Sequence, residues 1–230
     1  MTPGVSTEPP HHEEIGLTST AVVRRFTVDE YLAIERDSET KHEYYAGQIF
    51  AMAGASEAHN LVSGNLIRTI GNHLVDRDCR LYPSDMRVVL PTGLYTYPDA
   101  TVVCGPRDIE MRGGLDTLKN PTLLVEVLSK STEAYDLGVK FDHYRTIRSL
   151  EGYLLLRQDR ARAYHYRRQE DGSWNLTTAD GLDSAVSLPE IGLTLPLTEL
   201  FSKVDFPPVS DDFEPDLTPP ESHPAGPWIR

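Results

Sequence analysis

No stretch of the sequence holds anything near the ~20 consecutive apolar residues that a bilayer-crossing helix needs, which argues against a helical membrane protein. The first residues, Met1-Thr-Pro-Gly-Val-Ser-Thr-Glu8, carry neither the basic nor the apolar region of a signal peptide, so a cytoplasmic location is the expectation. Cysteine is scarce as well. Cys79 and Cys104 belong to no CxxC motif or Cys/His cluster, which argues against a zinc site or a disulfide framework. Both read as small buried apolar residues. Basic side chains are also in short supply: 22 Lys and Arg face 35 Asp and Glu across 230 residues, a net charge of −13. At first sight that opposes a nucleic-acid partner, because phosphate binding rests on cationic surface.

Where the acid sits changes that reading. Residues 1–20 contain Glu8, Glu13 and Glu14 with no Lys or Arg. Residues 201–230 set six acids against Lys203 and Arg230. The two ends thus account for seven of the thirteen excess negative charges, and they hold ten of the 17 prolines. Segments rich in Pro and acid with few aliphatics cannot offset the entropy of ordering. The expectation is therefore disordered tails over 1–20 and 205–230 around one folded domain at 21–204.

Within that domain, Thr27-Val-Asp-Glu30 is a capping box with Phe26 and Tyr31 placed as its hydrophobic staple, and it predicts a short helix to about Arg36. Residues 41–47 lead into a strand over 48–52. Ser56 can cap a second helix whose Val62, Leu66, Ile70 and Leu74 recur every fourth position, although Gly64 and Gly71 weaken it. Residues 86–90 and 95–104 read as strands joined through Pro91-Thr-Gly93. Residues 122–128 form a short apolar run, and 136–147 a helix. Residues 151–157, 162–168 and 174–178 alternate as an antiparallel meander. The fold class expected is α/β in the broad sense, an α+β domain with a mixed sheet flanked by helices and edge strands open to pairing.

Glu126 is the most informative position. It interrupts the aliphatic run Leu123-Leu-Val-Glu-Val-Leu128, which reads as a strand buried on both faces. An unpaired carboxylate there costs several kcal/mol. A structural salt bridge, a place at the open end of the sheet or protonation would each satisfy it. Asp99 repeats the anomaly at the start of another apolar strand. Two carboxylates at the same end of neighbouring strands call for a cation, and Mg²⁺ suits them, since it takes hard oxygen ligands and needs only one or two carboxylates. If the hairpin turns about Thr92, Asp85 faces Asp99 and joins the cluster; as a turn residue it stays apart. Lys140 lies four residues from Asp136 and from Tyr144. It is either a surface partner of Asp136 or an ammonium aimed at the carboxylates, able to hold an attacking water or neutralise charge on a phosphoryl group. Glu43 is a further candidate acid, and His59, in the first turn of the second helix, and Tyr144 are candidate substrate contacts. Arg167 and Arg168, with Arg157, Arg160 and Arg162 and the interleaved Tyr164 and Tyr166, make either a DNA track or a solvated sheet face.

Two acids on adjacent strands with a nearby Lys follow the logic of the PD-(D/E)XK nucleases. Phe26-Thr-Val-Asp-Glu-Tyr31, Lys41-His-Glu-Tyr-Tyr-Ala-Gly47, Ala58-His-Asn60, Tyr82-Pro-Ser-Asp85, Tyr97-Pro-Asp99 and Val125-Glu-Val-Leu-Ser129, followed by 136–144 with Lys140, resemble the Uma-two family of restriction-endonuclease-like proteins. The similarity covers roughly 26–204. It implies a restriction-endonuclease-like core and a Mg²⁺- or Mn²⁺-dependent endonuclease acting on DNA. Asp99 and Glu126 match the metal-binding acids, and Glu43 the additional acid. A standard motif would put Lys at 128, where this chain has Leu128; Lys140 takes the place seen when the lysine has moved to the following helix. The habit of related nucleases implies a homodimer or higher homo-oligomer. Two rivals remain: a catalytically inactive nuclease-like fold that binds nucleic acid or protein, and a glycosidase-like carboxylate pair. Against the second, there are only two Trp to serve as sugar platforms.

Overall fold

The computed structural model describes residues 24–207, so the expected tail over 1–20 and all of 205–230 beyond Pro207 lie outside the described residues. Helix α1 (Val28–Asp37) starts at the expected capping box. Thr27 Oγ1 accepts the Glu30 amide at 3.2 Å while the Glu30 carboxylate accepts the Thr27 amide at 2.8 Å. Thr27→Ala removes one of these bonds and should cost about 1 kcal/mol, seen as a fall in Tm of roughly 2–4 °C. The lead-in over 41–47 is itself a strand: β1 (His42–Tyr45) forms a hairpin with β2 (Gln48–Ala51) through Ala46 and Gly47, both at positive φ.

Helix α2 (Glu57–Leu74) is capped by Ser56 and buries the four residues its periodicity selects, Val62, Leu66, Ile70 and Leu74. Each such side chain contributes roughly 1.5–3 kcal/mol of burial. Strand β3 (Cys79–Pro83) follows, then the hairpin β4 (Arg87–Val89) and β5 (Tyr95–Thr96), with Val88 opposite Thr96. The expected single strand over 95–104 is in fact two. It breaks at Tyr97-Pro98-Asp99, and β6 (Ala100–Cys104) enters a different sheet. Pro98 has no N–H to donate, so the ladder ends there and the chain is free to cross.

A second hairpin, β7 (Ile109–Arg112) and β8 (Leu115–Leu118), turns on Gly113 and Gly114, both at positive φ. Then come β9 (Leu123–Leu128), the short helices α3 (Glu133–Leu137) and α4 (Val139–Tyr144), and the meander β10 (Gly152–Arg157), β11 (Arg162–Arg168) and β12 (Trp174–Asp180). The helix expected over 136–147 is divided at Gly138, where an added Cβ would lie 3.0 Å from the Ala134 carbonyl. The described chain closes with a small hairpin, β13 (Ala185–Leu188) and β14 (Leu193–Pro196), and α5 (Leu197–Leu200).

The strands form two six-stranded mixed sheets, β2-β1-β5-β4-β8-β7 and β12-β11-β10-β9-β6-β3. In the second sheet β9 and β10 run parallel and every other pair is antiparallel. One face of that sheet packs on α2, the small hairpin and α5 through Val125, Val127, Leu154 and Leu188. The opposite face meets α4 and the β4–β5 hairpin through Val103, Leu124, Tyr144 and Leu94. Strand β9 is therefore buried along its whole length, as its composition requires. The cysteines do not sit free. Cys79 and Cys104 are directly opposed on β3 and β6, with Cα atoms 4.0 Å apart, and form a disulfide. No motif announces a cross-strand pair separated by 25 residues, since only the register brings the two together.

Candidate active site

The β6–β9 register pairs Ala100 with Val125, so one residue further along Asp99 stands opposite Glu126. Asp99 occupies the point where the chain passes from one sheet to the other. Its Oδ2 accepts the Val127 amide at 2.7 Å, and its Oδ1 lies 3.0 Å from His59 Nε2. The Ser56 cap fixes the first turn of α2 by accepting the His59 amide, which holds the imidazole over the strand ends. Burial works against a charged imidazole here, yet the Asp99 carboxylate outweighs it and raises His59 above its ordinary 6.5.

Glu126 faces the other layer. Its Oε1 accepts from Tyr144 Oη at 2.6 Å and lies 2.7 Å from Lys140 Nζ. The same ammonium is 3.3 Å from Glu43 Oε1 and 3.5 Å from Asp136 Oδ1. Glu43 in turn accepts from the Thr96 hydroxyl. Lys140, Glu126, Glu43 and Asp136 are each 6% exposed or less. One cation thus meets three carboxylates in a space with little water to screen them. Burial pushes Glu126 up to about 8, against the pull of Lys140. Burial raises Asp136 likewise. For Lys140 burial favours loss of the proton, but Glu126 and Glu43 outweigh it and hold the ammonium well above 10.5. Burial thus favours proton uptake by Glu126 and Asp136, while the acids around it keep the lysine charged.

Of the residues singled out in the sequence, Glu126, Lys140, Glu43 and Tyr144 form one bonded cluster, and Asp99 with His59 a second, near enough for the Asp99 charge to act on Glu126. Asp85 does not. The hairpin register is the expected one, but Asp85 precedes the paired strands, is exposed, and bonds Lys41 at 3.1 Å. Arg167 and Arg168 occupy successive positions on β11 and so face opposite sides of the sheet. Arg167 is exposed, while Arg168 donates to the carbonyls of Arg145, Ile147 and Leu150. Nearby, Arg157 pairs with Asp159 and Glu133, and Arg162 with Asp180, so the meander is less cationic than its arginine count suggests. Asp136 was the acid hidden from sequence reasoning. Its i, i+4 spacing from Lys140 suits a surface pair as well as a buried one, and the structure buries both residues.

Among the described residues no three His, Cys, Asp or Glu side chains are grouped as a ready ligand set for a metal ion. The donor chemistry nonetheless suits a hard divalent cation. Asp99 and Glu126 offer carboxylate oxygens from opposed positions on neighbouring strands, and the Asp99 charge helps to raise Glu126. Mg²⁺ or Mn²⁺, which needs only one or two protein carboxylates and keeps waters for the rest, fits such a pair.

The family model for Uma2, described as "Putative restriction endonuclease", matches residues 28–198. One uncharacterised protein of Synechocystis sp. is 37% identical over 183 residues, spanning 79% of this chain and 94% of the relative. A second from the same organism is 35% identical over 167 residues, 72% of this chain and 94% of the relative. Among solved structures, the crystal structure of a putative nuclease belonging to DUF820 from Anabaena variabilis superposes with a TM-score of 0.58 at 21% identity. It covers 77% of this chain and 98% of its own. At that identity the likeness speaks to the fold.

Proposed function

The chain belongs to the Uma2 family, and from that premise we propose that it is a divalent-metal-dependent endonuclease hydrolysing DNA phosphodiester bonds. The observation that supports the reading is the placing of Asp99 one step beyond the β6–β9 pairing, level with Glu126, while Lys140 of the following helix lies 2.7 Å from Glu126. Asp99 and Glu126 would hold Mg²⁺ or Mn²⁺, which supplies a water of lowered pKa and screens the charge of the phosphate. The remaining work falls to this chain's own groups. The Lys140 ammonium, released from part of its carboxylate load, orients the attacking water and balances charge growing on the phosphoryl oxygens. Tyr144 fixes the Glu126 carboxylate through its hydroxyl, and His59 with the Val127 amide fixes that of Asp99. Glu43 and Asp136 keep Lys140 protonated.

The test is plasmid and oligonucleotide cleavage with Mg²⁺ or Mn²⁺. An Asp99→Asn, Glu126→Gln double variant is expected to fall to background. Equal cleavage by that variant and the wild type would sink the assignment. A second reading, a binding module that no longer cuts, is favoured by one observation: both carboxylates already have partners within the chain. Titration calorimetry separates the two, since a module of that kind gives no Mg²⁺ or Mn²⁺ heat that the double substitution removes.

A further inference from the structure

Helix α4 has two working faces. Lys140 and Tyr144 point into the carboxylate cluster, whereas Phe141 and Arg145, one residue on from each, line an open cleft of about 560 Å³ against the meander. The wall also carries Tyr166 on β11, Arg168 at its end and Trp174 at the start of β12, with Thr146, Gly172 and Ser173 at its edge. The rings are half-buried and set at different angles: Phe141 meets Trp174 edge-on at 5.3 Å and tilts over Tyr166 at 4.3 Å. Arg168 lies 4.6 Å over the Trp174 ring. It is held by three backbone carbonyls, and among the described residues no carboxylate pairs with it. Arg145 is exposed, with one surface contact to Asp142 at 3.3 Å. The cleft is joined to the carboxylates through packed rings. Phe141 stacks on Tyr153 at 5.6 Å, Tyr153 meets Tyr144 edge-on at 5.0 Å, and Tyr144 donates to Glu126.

A guanidinium with no acid to neutralise it, a second one at the rim, and a wall of aromatic rings match a ligand that carries an anion and a flat π-face together. We infer that the cleft is a subsite for one unstacked nucleotide of the substrate strand, its base stacked on the Trp174–Tyr166 wall and its phosphate set against Arg168 and Arg145. The inference rests on the nuclease reading for the identity of the ligand. It adds a preference that reading does not contain: a base in a duplex is already stacked and cannot use the wall, so the protein favours single-stranded or distorted DNA.

The test is fluorescence anisotropy of the full chain with a short labelled oligo(dT) strand and with a duplex of mixed sequence, in EDTA so that cleavage does not enter. Trp174→Ala is expected to weaken single-strand binding roughly tenfold and duplex binding much less. Arg145→Gln, at an exposed position whose guanidinium contacts Asp142, should weaken the single strand and flatten its slope of log K against log salt by about 0.7. Both variants binding oligo(dT) as tightly as the wild type would overturn the inference, as would an equal loss for single strand and duplex. Failure of the nuclease reading looks different: no cleavage with any divalent metal, while oligo(dT) binding still depends on Trp174.

Discussion

Lys140→Met is expected to lower stability by about 3–5 kcal/mol, the usual penalty for removing one partner of a buried ion pair. That corresponds to a fall in Tm of roughly 10 °C or more for a domain of this size. Methionine matches the stem of lysine in length but not its charge, so the ammonium's place over the Tyr135 and Tyr144 rings is given up as well. What is lost is the single cation among Glu126, Glu43 and Asp136. The three acids can relieve their mutual repulsion only by taking up protons. The deficit should therefore shrink as the pH is lowered, and a pair of thermal melts at pH 5 and pH 8 reads it directly. Cleavage should fall by about 10²–10³, the scale for deleting one preorganised electrostatic group. A variant that melts within a degree or two of the wild type at pH 8 would show that Lys140 does not hold the cluster together.

The net charge of −13 would discourage a nucleic-acid assignment if it were spread evenly. It is not, since part of it is packed around Lys140, where it is either paired or protonated. The arginines of the meander are likewise mostly committed, to acids or to carbonyls. Under the proposed subsite, what the surface would offer a phosphate chain is local: the exposed Arg145 and the Arg168 guanidinium, which no carboxylate neutralises among the described residues, beside the aromatic wall.

Several parts of this arrangement were legible in the sequence because they obey local rules. The capping box at Thr27 and the four-residue period of α2 depend on neighbours within a turn or two, and both came out as read. Glu126 and Asp99 stood out because a charged residue in an aliphatic strand violates a rule that strands otherwise keep. Most of the failures are matters of tertiary register, apart from local misses such as the strand at 42–45 and the break at Gly138. The β4–β5 hairpin pairs as expected, yet the crossing at Pro98 sends Asp99 to the other sheet and leaves Asp85 behind. The break at Gly138 separates α3 from α4, and Asp136, whose spacing from Lys140 left a surface pair open, is buried. His59 had no partner within reach in sequence, for Asp99 is 40 residues away. Cys79 and Cys104 meet only because β3 lies beside β6. Sequence patterns report which residues are out of place; the sheet order decides what they are out of place for.

Glu126→Gln should move activity and stability in opposite directions. The amide keeps the shape of the carboxyl and can still accept the Tyr144 hydroxyl, but it gives a divalent cation no charge, so cleavage should drop by at least the 10²–10³ expected for Lys140→Met. Stability follows from linkage. Burial sets Glu126 at about 8 in the folded chain, above the 4.5 of an ordinary glutamate. The unfolded chain releases this proton near 4.5 while the folded chain keeps it. Folding therefore loses stability as the pH rises from about 4.5 to about 8, and little further change comes from this group above that. Glutamine resembles the protonated acid at every pH and carries no such slope. In metal-free buffer the variant should melt close to the wild type near pH 4.5 and above it at pH 8.5, the difference opening across that interval. His59 and Asp136 also bind protons more tightly in the folded chain and slope the same way, but they are present in both proteins and largely cancel in the comparison. A gap in Tm that stays constant with pH would mean that Glu126 is ionised throughout and fully paid for by Lys140. An inactive variant with the predicted gap would instead mark Glu126 as a group kept at a cost to the fold.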